Sequence, residues 1–503
     1  MSTEDQNRCV VTGKLDADID ALMDDIVSGR LLGRRVEMYN EKLESLYNFD
    51  VVLTKQELEQ LKQDPRVEDV RWGSKVDNGF FLGHNVLDAV KTHSRTATQN
   101  AAHYAWSIPA CINASNPFSA GADITYAHPY TAVGEGVDIV VQDSGIEVGH
   151  PEWLSQDGSI SRLQQIDWPT ASGLSGTYTQ GAQHYTDQYG HGTHCAGTAA
   201  GRRYGWARSA NIYAIKIFDT DAFGVSASFN MIRLWHLNKP LINGYRRPTI
   251  VNMSWGYYNV YSGITGGVYR GTPWTGTTAQ SQYGMMETAY NFRSGGYGHP
   301  ARVSSVDADI AACISAGIVL VAAAGNDTHK VDVSGGLDYN NYYTAGGFNY
   351  YYHRGSTPNG PNGVISVGSI RLSNTEYKSE FSCCGPGITV YAPGEGIQSA
   401  MPVGSTLSSG AVDHPDNSSF KIKKIQGTSM AAPQVTGVLA CVLGNRRHYN
   451  AYDCIRWLDR TATKNRVGDT GGGYSDLASL QGSPNRYLRW PSNSSSPLVV
   501  NRT

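Results

Sequence analysis

The sequence is poor in charge. Only 17% of its 503 residues are Asp, Glu, Lys or Arg, the formal net charge is -3, and the basic residues are scattered. A nucleic-acid binder needs a basic field along one face, so that class is set aside. Long apolar runs are also missing: none reaches the roughly 20 residues that cross a bilayer, and no membrane partner is expected. The opening residues, Met1-Ser2-Thr3-Glu4-Asp5, lack the basic-then-apolar order of a secretory leader. The chain is therefore expected inside a cell or within a particle such as a virion. Cysteine is sparse, with eight in the whole chain and no C-x-x-C spacing of a zinc or redox centre. Cys383 and Cys384 are adjacent and poorly placed to bridge each other, so free thiols in a reducing compartment are expected. Asn-x-Ser/Thr triplets at Asn113 and Asn417 carry little weight without a leader, and the triplet at Asn252 falls in what reads as a buried strand.

What the chain does have is a 40% hydrophobic content, enough to bury a sizeable core in two to three domains or in one large domain with insertions. Residues 1–73 read as a small α+β unit. It has a strand at Cys9-Val10-Val11, a helix over about Asp16 to Val27, a strand near Arg35-Val36-Glu37 and an alternating strand from Phe49 to Leu53. A capping box, Thr54 with Glu57, then opens a helix that turns Leu58 and Leu61 inward, and Pro65 ends it before a strand from Val67 to Trp72. Residues 74–104 have no persistent period and read as a connector, its polar stretch Thr92 to Asn100 exposed.

After Gly136 the texture changes to β-branched runs bounded by glycine: Val137 to Asp143, Ala210 to Phe218, Thr249 to Trp255, Ile318 to Asn326, and Val364 to Ile370. Helical segments such as Val225 to Leu237 and Ser304 to Ala316 lie between them. Strands alternating with helices predict an α/β fold with a mostly parallel sheet covered on both faces. Two Gly- and Tyr-rich stretches, 257–300 and 334–362, read as surface insertions whose tyrosines serve either as a binding rim or as ordinary loop packing. The tail 483–503 reads as an extended surface segment.

Four places carry residues suited to acyl transfer. Asp143 ends a buried strand, at the carboxyl edge where catalytic groups gather in open α/β sheets; the plain alternative is an Asp that starts a turn. His191 lies between glycines at the start of a small-residue helix. A metal pair with His194 is the alternative, but the spacing is three and the Glu of H-E-x-x-H is absent. Asn326 follows the strand Ile318 to Gly325, where its amide can donate into a cleft or simply form a turn. Ser429 sits near the start of a helix, where it gains a free N–H and the partial positive charge of the helix end, or serves merely as an N-cap.

Taken together, the strings Gln142-Asp143-Ser144-Gly145-Ile146 with His150-Pro151-Glu152, Gly190-His191-Gly192-Thr193-His194-Cys195-Ala196-Gly197-Thr198, Asn252-Met253-Ser254-Trp255-Gly256, Ala323-Ala324-Gly325-Asn326, and Gly427-Thr428-Ser429-Met430-Ala431-Ala432-Pro433 resemble the subtilase family. The resemblance covers most of 105–445 and keeps the family order Asp, His, Ser. It implies a subtilisin-like doubly wound sheet over 105–482 and a serine endopeptidase acting on polypeptides through an acyl-enzyme. Ser429 would be the nucleophile, His191 the base and then acid, Asp143 its orienter, and Asn326 the oxyanion donor with the Ser429 N–H. Loss of such an amide costs members of this family roughly 10²–10³-fold in turnover.

By the same resemblance Ser254-Trp255-Gly256 is an edge that pairs with extended substrate, and with Ala323-Ala324-Gly325 it walls the first specificity pocket. Trp255 is bulkier than the family's usual residue and is expected to narrow a neighbouring subsite, while Asp327 is expected to favour a basic residue at the pocket rim. Cys195 is similar to the thiol behind the catalytic histidine in the proteinase K branch, which implies inhibition by mercurials without a catalytic role. No cofactor is implied for catalysis and no metal ligand is assigned. Structural calcium has no clear motif, since Arg371 stands where that branch has an acidic ligand. The N-terminal unit resembles the family's propeptide, especially Leu53-Thr54 through Val70, which implies a folding template and intramolecular inhibitor released by autoprocessing within 74–104. A contrasting reading is a binding or structural protein that keeps the fold and uses its Tyr-rich insertions as an interface; a full set of catalytic positions favours the enzyme.

Overall fold

The computed structural model describes residues 7–13, 19–36, 48–72, 106–112, 132–242, 244–260, 263–276, 298–360, 362–373 and 375–490. The connector 74–104 lies outside them. Its core is a nine-stranded sheet. Across it run Thr463–Lys464, Arg486–Tyr487, Val390–Pro393, Ile365–Ile370, Val319–Ala323, Thr249–Met253, Asp138–Asp143, Asn211–Lys216 and Leu163–Gln164. Every neighbouring pair is parallel except the first, which is antiparallel. The period of two sorts these strands' side chains onto two covered faces. Ile139, Val141, Val319 and Val321 pack in the cluster that includes the helices His191–Ala200 and Thr428–Asn445, whereas Val140, Leu320 and Ala322 pack with Val225–Asn238 and Ser304–Ser315. The expected α/β architecture, doubly wound with helices on both faces, is the one observed.

Strand order positions the site. From Asp138–Asp143 the chain builds outward to one side, through Leu163–Gln164 and Asn211–Lys216. It then returns to Thr249–Met253 on the other flank and continues away. The order therefore reverses beside Asp143, and in open α/β sheets ligands bind at the carboxyl ends of the strands flanking such a reversal. The helix Thr428–Asn445 is buried along almost its whole length, from Thr428 to Leu443, because its residues are small or apolar on every side.

The N-terminal unit has three antiparallel strands, Asn48–Leu53, Asn7–Gly13 and Val67–Trp72 in that order, with helices Ile19–Val27 and Lys55–Leu61. Its own core holds Cys9, Val11, Leu22, Ile26, Val51, Leu53, Leu58 and Leu61. The Thr54–Glu57 capping box forms as expected: Glu57 N donates to Thr54 Oγ1 at 3.3 Å and Thr54 N to Glu57 Oε2 at 2.7 Å. The strand expected near Arg35-Val36-Glu37 does not form at Arg35 and Val36. Val36 instead donates its N–H to Val27 O at the end of the first helix and buries its side chain in the small core. The start of the expected helix, Asp16 to Asp18, lies outside the described residues, as does Glu37.

Two expectations fail in the same direction, because apolar content is hidden under polar composition. The described parts of the Tyr-rich insertions are not all loop. Strands Thr272–Thr275, Ile264–Tyr269, Tyr342–Ala345 and Phe348–Tyr351 join both stretches into one antiparallel sheet. Ile264, Trp274, Tyr343, Ala345 and Tyr352 form its core, and Tyr343 stacks on Tyr350 with centroids 5.0 Å apart. The tail is not a surface segment either, at least as far as Trp490. Arg486–Tyr487 pairs with the main sheet, Tyr487 and Leu488 are fully buried, and Trp490 N donates to Cys111 O. Residues 491–503 lie outside the described part.

Candidate active site

The strand Asp138–Asp143 ends with its carboxylate buried, and Ser144 N donates to Asp143 Oδ1 at 2.7 Å. The imidazole of His191, on the first residue of its helix, places Nδ1 2.8 Å from Asp143 Oδ1 and 3.0 Å from Oδ2. Glycine permits this approach. A Cβ on Gly192 would lie 2.2 Å from Gly145 O and 3.2 Å from the Asp143 Cβ. Burial by itself would lower the pKa of His191, but the charge of Asp143 and its hydrogen bond, with Cys195 nearby, carry it well above the usual 6.5.

Ser429 is the second residue of the Thr428–Asn445 helix. Its Oγ donates to Ser254 O at 3.1 Å, while Ser254 Oγ donates back to Ser429 O at 2.8 Å. A ladder of side chains secures this clasp: Asn252 Nδ2 donates to Ser254 Oγ and Thr436 Oγ1 to Asn252 Oδ1. Asn326 presents its amide oxygen to Thr428, accepting from N and from Oγ1 at 2.9 Å each, so its NH₂ is turned the other way. Asn326 Nδ2 and Ser429 N both lie 3.6 Å from the point where a Cβ on Gly427 would stand. Gly427 holds φ at 149°, which a side chain rarely adopts, and the open position leaves two donors facing one small space.

The other expected site residues are brought together with different roles in packing. The strand expected to run to Trp255 stops at Met253, so Ser254-Trp255-Gly256 continues past the sheet without a strand partner. Trp255 packs against Phe218, Phe229 and Tyr257. Gly256 is hemmed in by Ser356 Oγ, 2.4 Å from where its Cβ would be. Gly325 donates its N–H to Thr428 Oγ1. Ala323 is nearly buried and Ala324 wholly so, and the latter's carbonyl accepts from Asn359 Nδ2 at 3.1 Å.

Asp327 is not at a rim, contrary to expectation. It is 4% exposed and beside Tyr258, and burial pushes its carboxyl up to about 7 against the hydrogen bond from Tyr258.

Among the described residues His194 joins no cluster of potential ligands with His191. His194 Nε2 donates to the carbonyls of Ile397 and Lys423 at 2.9 and 3.1 Å, and burial lowers its pKa to about 3. Among the described residues, Asp143, His191 and Cys195 alone bring three potential ligand atoms close together, but the carboxylate and imidazole are already committed to each other. Cys195 lies behind the imidazole, with Sγ 3.9 Å from Nδ1, and burial raises its thiol pKa. All eight cysteines are buried and unbridged. Arg371 lies over Tyr377 and donates to Thr375 Oγ1. Close by, the buried Lys378 donates Nζ to the carbonyls of Ser379, Glu380 and Ser382 at 3.3 to 3.5 Å.

The family profile described as the subtilase family matches residues 134–482, more than half of the chain. The chain belongs to the subtilase family. Its sequence is 29% identical to subtilisin-like protease 3 of Arthroderma benhamiae over 313 residues, which is 62% of this chain and 54% of that protein. It is 28% identical to the protein of the same name from Arthroderma otae over 336 residues, 67% and 59% of the two chains. A subtilisin-like protease of Coccidioides posadasii is 26% identical over 318 residues, covering 63% and 54%. The chain thus spans about half the length of the curated relatives it matches. A crystal structure of a cold-adapted subtilisin-like serine proteinase, 21% identical, aligns with a TM-score of 0.48 over 76% of this chain and 97% of that one. No helix among the described residues is long and apolar enough to cross a membrane.

The sequence assigns no role to Asp187, nor to Ser144 and Thr428 within their strings, yet all three bond to the site residues or to their chain neighbours. Asp187 stands in the polar stretch Thr186-Asp187-Gln188-Tyr189 and carries no motif of its own, and only its burial marks it out.

Proposed function

We propose that this subtilase is a serine endopeptidase that hydrolyses polypeptides through an acyl-enzyme. One observation carries the reading: His191 Nδ1 sits 2.8 Å from a buried carboxylate, and Cys195 Sγ, 3.9 Å from that Nδ1, is 3.4 Å from Ser429 O, so the imidazole and the serine share one neighbourhood. In the first step Ser429 Oγ adds to the scissile carbonyl carbon and its proton passes to His191 Nε2, while the C=O electron pair moves onto oxygen. Asn326 Nδ2 and Ser429 N donate to that oxygen. Asp143 keeps the imidazole in the right tautomer and favours the imidazolium. Collapse expels the amine, which takes the proton from His191, and water then releases the acyl group by the reverse sequence. No cofactor enters these steps.

In the free protein the Ser429 hydroxyl points to Ser254 O, and no hydrogen bond to His191 is formed among the described residues. That carbonyl is a natural acceptor for a substrate N–H, so an extended peptide along Ser254-Trp255-Gly256 would displace the hydroxyl toward His191. The N-terminal unit acts, on this reading, as an intramolecular inhibitor, and cleavage within 74–104 frees the enzyme. The test is intact mass with fluorophosphonate labelling of the wild type beside Ser429→Ala. Only the wild type should lose an N-terminal fragment of about 75 to 105 residues and take up label. A wild type that stays unlabelled after removal of the N-terminal unit would return the chain to the binding-protein reading.

A further inference from the structure

Asp187 takes no part in the steps above, yet its carboxylate is only 4% exposed and fully engaged. Oδ1 accepts from Ser144 Oγ at 2.9 Å and from Gly190 N at 2.7 Å. Oδ2 accepts from Thr193 N at 2.9 Å and from Thr193 Oγ1 at 2.7 Å. Ser144 Oγ in turn accepts from Gly192 N at 2.9 Å, and Thr193 Oγ1 accepts from Glu147 N at 2.9 Å. The donors fall into two groups. Ser144 follows Asp143 in the chain, whereas Gly190, Gly192 and Thr193 surround His191.

These bonds satisfy N–H groups at the start of the His191–Ala200 helix that have no partner inside the helix. They also give that positive end a buried negative charge. A helix can be capped by any short polar side chain, and Gly190 offers none. What sets Asp187 apart is that the group capping the helix is also bonded to the end of the Asp143 strand. The loop that carries it is pinned from the other side as well. Lys216, fully buried on the neighbouring strand and in register with Asp143, donates Nζ to Gln183 O at 3.3 Å and Thr186 O at 3.2 Å. Thr186 O would lie 2.2 Å from a Cβ on Gly145, so loop and strand end are as close as a glycine allows.

We propose that Asp187 is a positioning residue for the proposed hydrolysis, setting the height and rotation of the helix's first turn so that His191 meets Asp143 in bonding geometry. It acts through Ser144, Gly190, Gly192 and Thr193 and does not touch substrate. The inference rests on the protease reading but is separable from it. The titratable group that acts on Asp187 is Glu147, whose half-buried carboxyl is pushed up by burial and then by Asp187; burial pushes the Asp187 carboxyl up as well, against its bonds from Gly190, Thr193 and Ser144, and Lys216 holds the loop.

The test compares wild type, Asp187→Asn and Ser144→Ala, each expressed as the full chain, with kcat expressed per active site that takes up fluorophosphonate label so that slower self-cleavage is not read as slower turnover. The amide of Asn presents NH₂ where one oxygen now accepts, so one pair of bonds is lost with little change of shape. For Asp187→Asn, kcat on a peptide substrate should fall about 10- to 100-fold, the scale of a misplaced catalytic group, with KM within about three-fold. The acidic limb of the kcat/KM profile should move to lower pH as the imidazole loosens from Asp143. The downfield Nδ1 proton of His191 should broaden or shift in the NMR spectrum, a signature available whether or not the protein cleaves. Ser144→Ala should change all three in the same direction by less, and it stands in if Asp187→Asn fails to fold. If both variants keep the wild-type kcat, pH limb and proton resonance, or lose activity only in proportion to their unfolded fraction, the positioning role is wrong. A wild type that neither cleaves nor takes label sinks the protease reading instead, and the NMR comparison still decides the role of Asp187.

Discussion

Two parts of the molecule solve close packing in opposite ways. At the carboxyl ends of the central strands the contacts are between backbones: Gly192 against Gly145 O, Gly145 against Thr186 O, and Gly427 opposite Asn326 and the Ser429 N–H. In the sheet built from the two insertions the contacts are between rings. Tyr343 stacks on Tyr350, Tyr342 meets Tyr351, and Arg354 lies 3.5 Å over Tyr351. The first region has no room to relax, so an error of one atom distorts geometry and therefore chemistry. The second is anchored through Arg270 and Lys330 on the buried Asp338, which burial alone would raise but these cations hold below the usual carboxylate range. Errors there should cost local stability and leave chemistry alone.

The sharpest way to break the comparison is Asp143→Asn. It keeps the volume and removes the charge that orients His191, so kcat should fall by about 10⁴-fold with the fold intact by circular dichroism. The sign of the pH effect follows from the same charge. A base works when neutral, so wild-type activity should rise with pH through the raised His191 pKa, above the usual 6.5. Without Asp143 the burial that lowers this pKa prevails, and the residual activity should appear at lower pH. A limb that stays put or moves up would contradict the assignment of His191 as base. Next in size is Asn326→Ala, expected to cost roughly 10²–10³-fold in kcat with little change in KM. A loss confined to KM would mean that the amide binds substrate and does not stabilise the transition state.

Legibility in the sequence follows the same division. Strands buried on both faces read plainly as β-branched runs, and Asp138–Asp143, Val319–Ala323 and Ile365–Ile370 lie within their expected bounds. The candidate site is legible because five short strings, each ambiguous alone, together resemble one family in the order Asp143, His191, Ser429. Reading fails where packing is not written in aliphatic residues. Tyr342 to Tyr352 reads as loop because tyrosine and glycine mark turns as readily as aromatic cores, and the partner strand Ile264–Tyr269 is far away in the chain. Val36 reads as part of a strand because one buried apolar residue cannot reveal whether its neighbours pair. Asp327 reads as exposed because nothing local shows that Tyr258 covers it. Asp187 escapes notice because its partners are assembled only by the fold.

The smallest effects should come from the insertion sheet, and there one pair of substitutions sharpens the contrast within a single hairpin. Tyr343 is 1% exposed and Phe348 is 69% exposed. Tyr343→Ala removes a ring from the small core and should destabilise the sheet by about 3 kcal/mol, seen as faster hydrogen exchange at Ile264–Tyr269 and Tyr342–Ala345. Phe348→Ser exchanges a ring already in water and should change stability by less than about 0.5 kcal/mol. Both should leave kcat within about two-fold of wild type, because neither alters the glycine contacts that hold His191 to Asp143. Loss of turnover in Tyr343→Ala would mean that the sheet braces the segment from Tyr352 to Asn359. That segment lies against Gly256 through Ser356 and reaches Ala324 through Asn359, and the insertions would then belong to the catalytic framework rather than being added to it.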